Sequence, residues 1–281
     1  MTNFTQRLLL FVIGLPLLFF LIVYFQRYSH IGWIILVAGV TFLATYESLD
    51  LFAPGFRAGR KHLVPIAAAL LPLATLVHPG IYDGQDAVLI TLAGSLLLLL
   101  IMELAAWSPE SPESYLRHSL GITASLLYPG LLMIYPMRFI EFEYAVPAIL
   151  LFLLLNFAND TFAYLFGLAF GRYSVRIVPV SPKKTLIGYI GGIIGSLLGG
   201  VGFYLLYPAL FAFNLYFQLP FFLLIALLAD IGDLVESAFK RGMAMKDSGK
   251  LMPGRGGILD STDSLLFSAP FFYYIGIILL N

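Results

Sequence analysis

Six of the sixteen acidic residues in this 281-residue chain, Asp230, Asp233, Glu236, Asp247, Asp260 and Asp263, fall within one stretch of 34. Five basic residues, Lys240, Arg241, Lys246, Lys250 and Arg255, are interleaved with them. On a helix, Asp230, Asp233, Glu236, Ser237 and Lys240 recur at spacings of three and four and share one face. Gly254, Gly256 and Gly257 around Arg255 permit a backbone nest that approaches phosphate oxygens closely. Asp260 and Asp263, at the mouth of the last helix, are spaced so that two carboxylates can point at one hard cation. Mg²⁺ favours such a site, with few carboxylates and the remaining ligands from phosphate and water.

A second polar run, Ser181-Pro182-Lys183-Lys184-Thr185, precedes Gly188, Gly191 and Gly192 and offers two ammonium groups and a hydroxyl beside a helix start. Asn159-Asp160-Thr161 interrupts an apolar segment, where a carboxylate is costly unless paired or hydrated. These features describe a metal-assisted reaction on phosphates at a membrane surface, with carboxylates for Mg²⁺, Lys and Arg for oxyanions and Gly for close approach. A phosphate nucleophile is already ionised at neutral pH, so in-line positioning and charge neutralisation suffice without a general base. The four histidines, His30, His62, His78 and His118, lie outside the cluster.

The elements that must hold these groups are set by composition. With 60% hydrophobic and 11% charged residues and a mean hydropathy of +0.91, the chain is read as a bilayer protein. Its net charge of zero argues against a polybasic nucleic-acid binder. The absence of Cys removes disulfides, thiolate nucleophiles and Cys-ligated metals. Apolar runs predict an all-α, polytopic membrane protein with about nine spans: 8–25, 31–48, 63–78, 87–107, 119–136, 144–171, 187–208, 215–236 and 264–280. The first is read as a membrane helix rather than a signal peptide, being longer than an h-region and lacking a small-residue cleavage site after it. No fixed-period repeat is visible, which gives no support to a repeat-built transporter.

Nine spans with the N-terminus inside put fourteen of the sixteen Lys and Arg on the inner side, leaving Arg27 and Arg138 outside. The polar loops 172–186 and 237–263, separated by two spans, then emerge on the same cytoplasmic face. The segment 108–118 reads as a connector. The expected organisation is one membrane-embedded domain, residues 1–281. Helices over 1–143 would supply packing and a lipid groove, and 144–281 would carry the chemistry.

The spaced residues Ser237, Lys240, Arg241, Lys246, Asp247, Pro253, Gly254, Gly256, Gly257, Asp260 and Asp263 closely resemble the signature of phosphatidate cytidylyltransferases, the CDP-diacylglycerol synthases. Asp160 with Ala163-Tyr164 and Gly167, Ser181 to Thr185, and Gly232-Asp233-Leu234 with Glu236-Ser237 agree with it. The resemblance spans roughly 156–270, and the first half agrees only in hydropathy. It implies an integral membrane enzyme, often dimeric, with a cytoplasmic site, while the Lys and Arg topology and the supply of CTP point to the cytoplasmic membrane with the C-terminus outside. Such an enzyme converts phosphatidic acid and CTP into CDP-diacylglycerol and pyrophosphate using Mg²⁺, with the presence of a second cation left open.

By that resemblance Asp233, Asp260 and Asp263 form the metal cluster, with Asp160 as an additional acid nearby. Lys183, Lys184, Lys240, Arg241 and Lys246 hold triphosphate or phosphatidate oxygens. Asp247 joins the catalytic group, and Ser181, Thr185, Glu236, Ser237, Gly254, Arg255, Gly256 and Gly257 join the substrate-binding group. Three positions depart from the family pattern: Arg255 stands where His is usual, Ser261 where Arg is usual, and Ile187 where Glu or Gln is usual. Arg255 can still bind phosphate but cannot shuttle a proton at neutral pH. The alternatives are a cytidylyltransferase for another lipid phosphate, ether-linked or polyprenyl, and a non-catalytic relative or channel. Retention of the motif's carboxylates and of its Lys and Arg side chains argues against decay.

Overall fold

In a bilayer each backbone group must be satisfied within its own segment, so long apolar runs become helices. The computed structural model describes residues 10–56, 58–77, 84–109, 111–176, 178–252, 254 and 256–281, and the side chains of 10, 11, 58, 84 and 85 are not described. The helices are α1 (Leu15–Tyr24), α2 (Ile31–Phe52), α3 (Leu63–Ala74), α4 (Gly84–Leu104), α5 (Pro112–Ser125), α6 (Ile134–Arg138), α7 (Ala145–Phe170), α8 (Leu186–Leu206), α9 (Leu215–Gly242) and α10 (Leu259–Leu279). Among the described residues extended pairing is confined to two isolated bridges, Phe211 with Leu280 and Met252 with Gly256. The protein is an all-α, polytopic integral membrane protein.

Among the described residues, seven helical stretches are long and apolar enough to cross a membrane: Ile31–Phe52, Asp86–Leu104, Pro112–Glu141, Ala145–Tyr173, Leu186–Leu206, Leu215–Gly242 and Leu259–Leu279. Two of the nine expected spans are shorter helices, Val12–Tyr28 and Leu63–Ala74. The latter carries Pro72 in its last turn, and the Thr75 hydroxyl turns back onto the Pro72 carbonyl at 2.7 Å, which ends the helix. The fifth span starts earlier than expected. Pro112 occupies a first-turn position, where its missing N–H costs nothing, and Glu113 favours the same end of the helix dipole, so the expected 108–118 connector is helical from Pro112 onward. A π-helical segment, Leu126–Leu131, with Pro129 inside it, joins α5 towards α6.

The chain divides into two units. The first comprises Met1–Arg138 and Gly242–Thr262, so the glycine-rich segment groups with the N-terminal helices. Its core includes Leu49, Ala53, Phe56, Val64, Ala68, Ile122 and Leu126. The Trp33 indole donates to the Pro136 carbonyl at 2.7 Å, satisfying a polar group that burial would otherwise strand.

The second unit comprises Phe139–Arg241 and Asp263–Asn281. Phe139, Phe152, Phe221 and Phe272 form its aromatic centre, with ring centroids 4.9 Å apart for Phe139 and Phe152 and 5.0 Å for Phe152 and Phe272. Two polar side chains tie α7 to α10 within it, the Ser268 hydroxyl donating to Asn156 Oδ1 at 3.0 Å. A glycine stripe brings α8 onto α7. A Cβ at Gly192 would lie 2.6 Å from Asn159 Oδ1, and one at Gly195 2.5 Å from Phe162 Cβ. Only a residue without a side chain lets the helices meet at that distance.

Candidate active site

The second unit gathers charged groups from three helices and one loop. Thr185 starts α8 by accepting the Gly188 N–H on its own hydroxyl at 3.3 Å, a standard cap that fixes the preceding Lys184. Lys184 Nζ donates to Asp233 Oδ2 on α9. Burial works against the Lys184 charge, but the charge and hydrogen bond of Asp233 outweigh it and hold the ammonium above its ordinary pKa. One turn along α9, the Ser237 hydroxyl approaches Asp233 Oδ1 at 3.4 Å.

Around this pair the acids accumulate. Asn159 of α7 donates to Asp230 Oδ1 at 3.0 Å, and Asp160, Lys184 and Asp233 are the charged neighbours of Asp230. Asp263 is buried at the start of the second unit's part of α10, with Asp160, Asp233 and Glu236 as its charged neighbours. Its Oδ1 accepts the Ser264 N–H at 2.6 Å. The Asp263 carbonyl lies where a Cβ on Gly232 would be 2.6 Å away, so α9 and α10 meet closely beside the site. Lys240 Nζ stands 3.4 Å from Glu236 Oε1, and both side chains are almost wholly buried. Acids thus outnumber ammonium groups in a partly desolvated space, and that excess suits a hard cation or the counter-charge of a bound cation–phosphate complex.

The remaining expected residues are shared between the two units. Asp260 belongs to the first unit, where its Oδ2 accepts from the Ser248 N–H at 2.8 Å and the Gly257 N–H at 2.7 Å and lies 2.9 Å from the Ser248 hydroxyl oxygen. Met252 and Gly256 pair through two backbone hydrogen bonds, with Gly254 at φ 75° and Gly256 at φ 105°. These are left-handed positions that favour glycine. Lys246 and Asp247 are exposed neighbours 3.9 Å apart. Lys183 and Arg241 are exposed, and Ser181 accepts the Lys184 N–H on its backbone carbonyl at 3.0 Å. Arg255 and Pro253 lie outside the described residues. Among the described residues no three His, Asp or Glu side chains form a ready-made metal cage.

Sequence reasoning passed over Glu47 and Ser248. Glu47 is 3% exposed and lies within the apolar α2, and its Oε2 accepts from the Leu259 N–H at 2.9 Å and the Ser248 hydroxyl at 3.3 Å. The available signal was a carboxylate inside a membrane-length apolar helix, the same signal that drew attention to Asp160.

The helices define an integral membrane protein that carries a cluster of carboxylates and ammonium groups in its second unit. The cytidylyltransferase family model matches residues 5–279, and the chain belongs to that family. A phosphatidate cytidylyltransferase of Staphylococcus aureus (strain COL) is 44% identical over 117 residues, 42% of this chain and 44% of the relative. One from Synechocystis sp. is 44% identical over 128 residues, 44% of this chain and 41% of the relative. The uncharacterized protein YnbB of Escherichia coli (strain K12) is 44% identical over 127 residues, 45% of this chain and 41% of its own length. The matched stretch spans less than half the length of each of these relatives.

Proposed function

We propose that the protein is an Mg²⁺-dependent CTP:phosphatidate cytidylyltransferase, transferring CMP from CTP to phosphatidic acid to give CDP-diacylglycerol and pyrophosphate. The observation that carries this reading is the convergence of Lys184 with Asp160, Asp230, Asp233 and Asp263, which joins both polar runs and the interrupted α7 in one place. The names of the Staphylococcus aureus and Synechocystis relatives support the substrate assignment.

In the reaction a phosphatidate oxygen forms a bond to the α-phosphorus of CTP while the bond to the β-phosphate oxygen breaks, and pyrophosphate leaves. Asp233 and Asp263 would hold Mg²⁺, which when bound supplies charge neutralisation at the attacked phosphorus and the leaving group. Lys184 and the exposed Lys183 bind triphosphate oxygens, and Lys240 and Arg241 serve the same charge at the end of α9. Asp260 shapes the glycine-rich loop, its Oδ2 accepting the Gly257 N–H. The excess of Lys and Arg on one side supports a cytoplasmic site and N-terminus in the cytoplasmic membrane. The family resemblance supports a homodimer.

The test is purified protein in detergent with labelled CTP, phosphatidate and Mg²⁺, the lipid product being separated by solvent extraction. CDP-diacylglycerol is expected, with none in EDTA and none from Asp263→Asn. Absence of product would overturn the activity, product only with a polyprenyl or ether-linked phosphate would reassign the lipid, and full turnover in EDTA would remove the metal.

A further inference from the structure

The glycine-rich segment Gly242–Thr262 is built around a carboxylate that comes from α2, about two hundred residues earlier in the chain. Glu47 Oε2 accepts the Leu259 N–H, one of the donors at the start of α10 that no preceding turn can satisfy, and the Ser248 hydroxyl. Ser248 in turn gives its backbone N–H to Asp260 Oδ2 at 2.8 Å and approaches the same oxygen through its hydroxyl at 2.9 Å. Glu47, Ser248 and Asp260 therefore form one chain of contacts closing the loop at both ends.

Two glycines show how closely the loop follows this carboxylate. A Cβ on Gly249 would overlap Glu47 Oε1, and a Cβ on Gly257 would overlap Glu47 Oε2 and the Ser248 hydroxyl. Neither glycine has a positive φ, so what excludes a side chain at both positions is the carboxylate itself. The Glu47 carboxyl group is buried, so the donors that face it have no water to replace it. A loop this rich in glycine needs such an anchor to hold one conformation, because free glycines carry the largest conformational entropy to lose.

We infer that Glu47 is a positioning residue for phosphate binding: its carboxylate clamps the 248–259 loop, so the N-terminal helices contribute to the reaction as well as to packing. The catalytic part of this inference rests on the cytidylyltransferase reading, while the clamp does not.

Two measurements on Glu47→Ala, Glu47→Gln and Ser248→Ala test it, each in purified, detergent-solubilised full-length protein. The first is the rate of tryptic cleavage after Lys250, which is exposed within the loop. Loss of the two hydrogen bonds that Glu47 accepts should speed it roughly tenfold in Glu47→Ala. Glu47→Gln, which keeps an acceptor for the Leu259 N–H, should recover most of the protection. The second is a kinetic split, in which Glu47→Ala raises KM for CTP roughly tenfold and leaves KM for phosphatidate near the parent's. A variant that merely lost folded protein would lower the maximal rate alone. If Glu47→Ala does not yield folded protein, Ser248→Ala cuts the same chain from the loop side and should show the same faster cleavage. Parent-like cleavage and KM in the variants would overturn the inference. An inactive parent would instead overturn the proposed function, with the cleavage rates still deciding the clamp.

Discussion

Lys184 and Asp233 are bonded across 49 residues of sequence, joining the loop that precedes α8 to the middle of α9. Each is about 30% exposed, so solvent and phosphate can reach the pair. The Lys184 ammonium occupies a position where a cation balances the Asp233 charge. Binding of a cation–triphosphate complex would free Lys184 to turn to phosphate oxygens.

Lys184→Ala should therefore lose activity by about two orders of magnitude, a loss typical of removing one positioned charge from a phosphoryl or nucleotidyl transfer site. Lys184→Arg should restore only part of it, because the planar guanidinium does not substitute for a compact ammonium. Steady-state kinetics with labelled CTP measures both. Parent-like turnover in Lys184→Ala would show that the Asp233 pairing is only structural.

The same pair has a pH signature. With the folded-state pKa of Lys184 raised above the ordinary 10.5 by Asp233, the ammonium form is favoured by folding. The stability it contributes is fully present below about pH 10.5 and is lost as pH rises through the higher folded value. Thermal unfolding of the parent and of Lys184→Met, measured from pH 8 upward, should show a difference that is constant at first and shrinks above that range. A difference that grows with pH would contradict the assignment.

Much of this site was legible in the sequence because a bilayer makes charged residues conspicuous. Asp160, Lys184, Asp233 and Asp263 stand out as polar residues in or beside apolar runs, and they converge in the second unit. Helix type followed from hydropathy, whereas helix ends depended on local chemistry: Pro72 cut α3 short and Pro112 began α5 early. Glu47 was not read because its partners, Ser248 and Leu259, are about two hundred residues away, and no periodicity encodes such a pairing. Asp260 was legible as an acid of the motif but not as the acceptor of Ser248 and Gly257, since a loop's internal hydrogen bonds follow from its backbone path.

The glycine stripe of α8 gives a prediction about packing with an internal control. At Gly195 a Cβ would sit 2.5 Å from Phe162 Cβ, an atom fixed by the α7 backbone that no side-chain rotation moves. At Gly202, on the same helix, nothing lies within 4 Å of the added atom. Gly195→Ala should force α7 and α8 apart and destabilise the protein by about 1–3 kcal/mol, as overpacking does. Gly202→Ala should be neutral or stabilise by up to about 1 kcal/mol through helix propensity. Because α7 carries Asn159 and Asp160 and α8 begins at the Lys184 cap, the Gly195 change should also reduce activity at temperatures where the protein remains folded. Thermal unfolding in detergent, with turnover assayed well below the midpoint, separates the two effects. Equal stability of the two alanine variants would show that the close approach of α7 and α8 does not depend on the stripe.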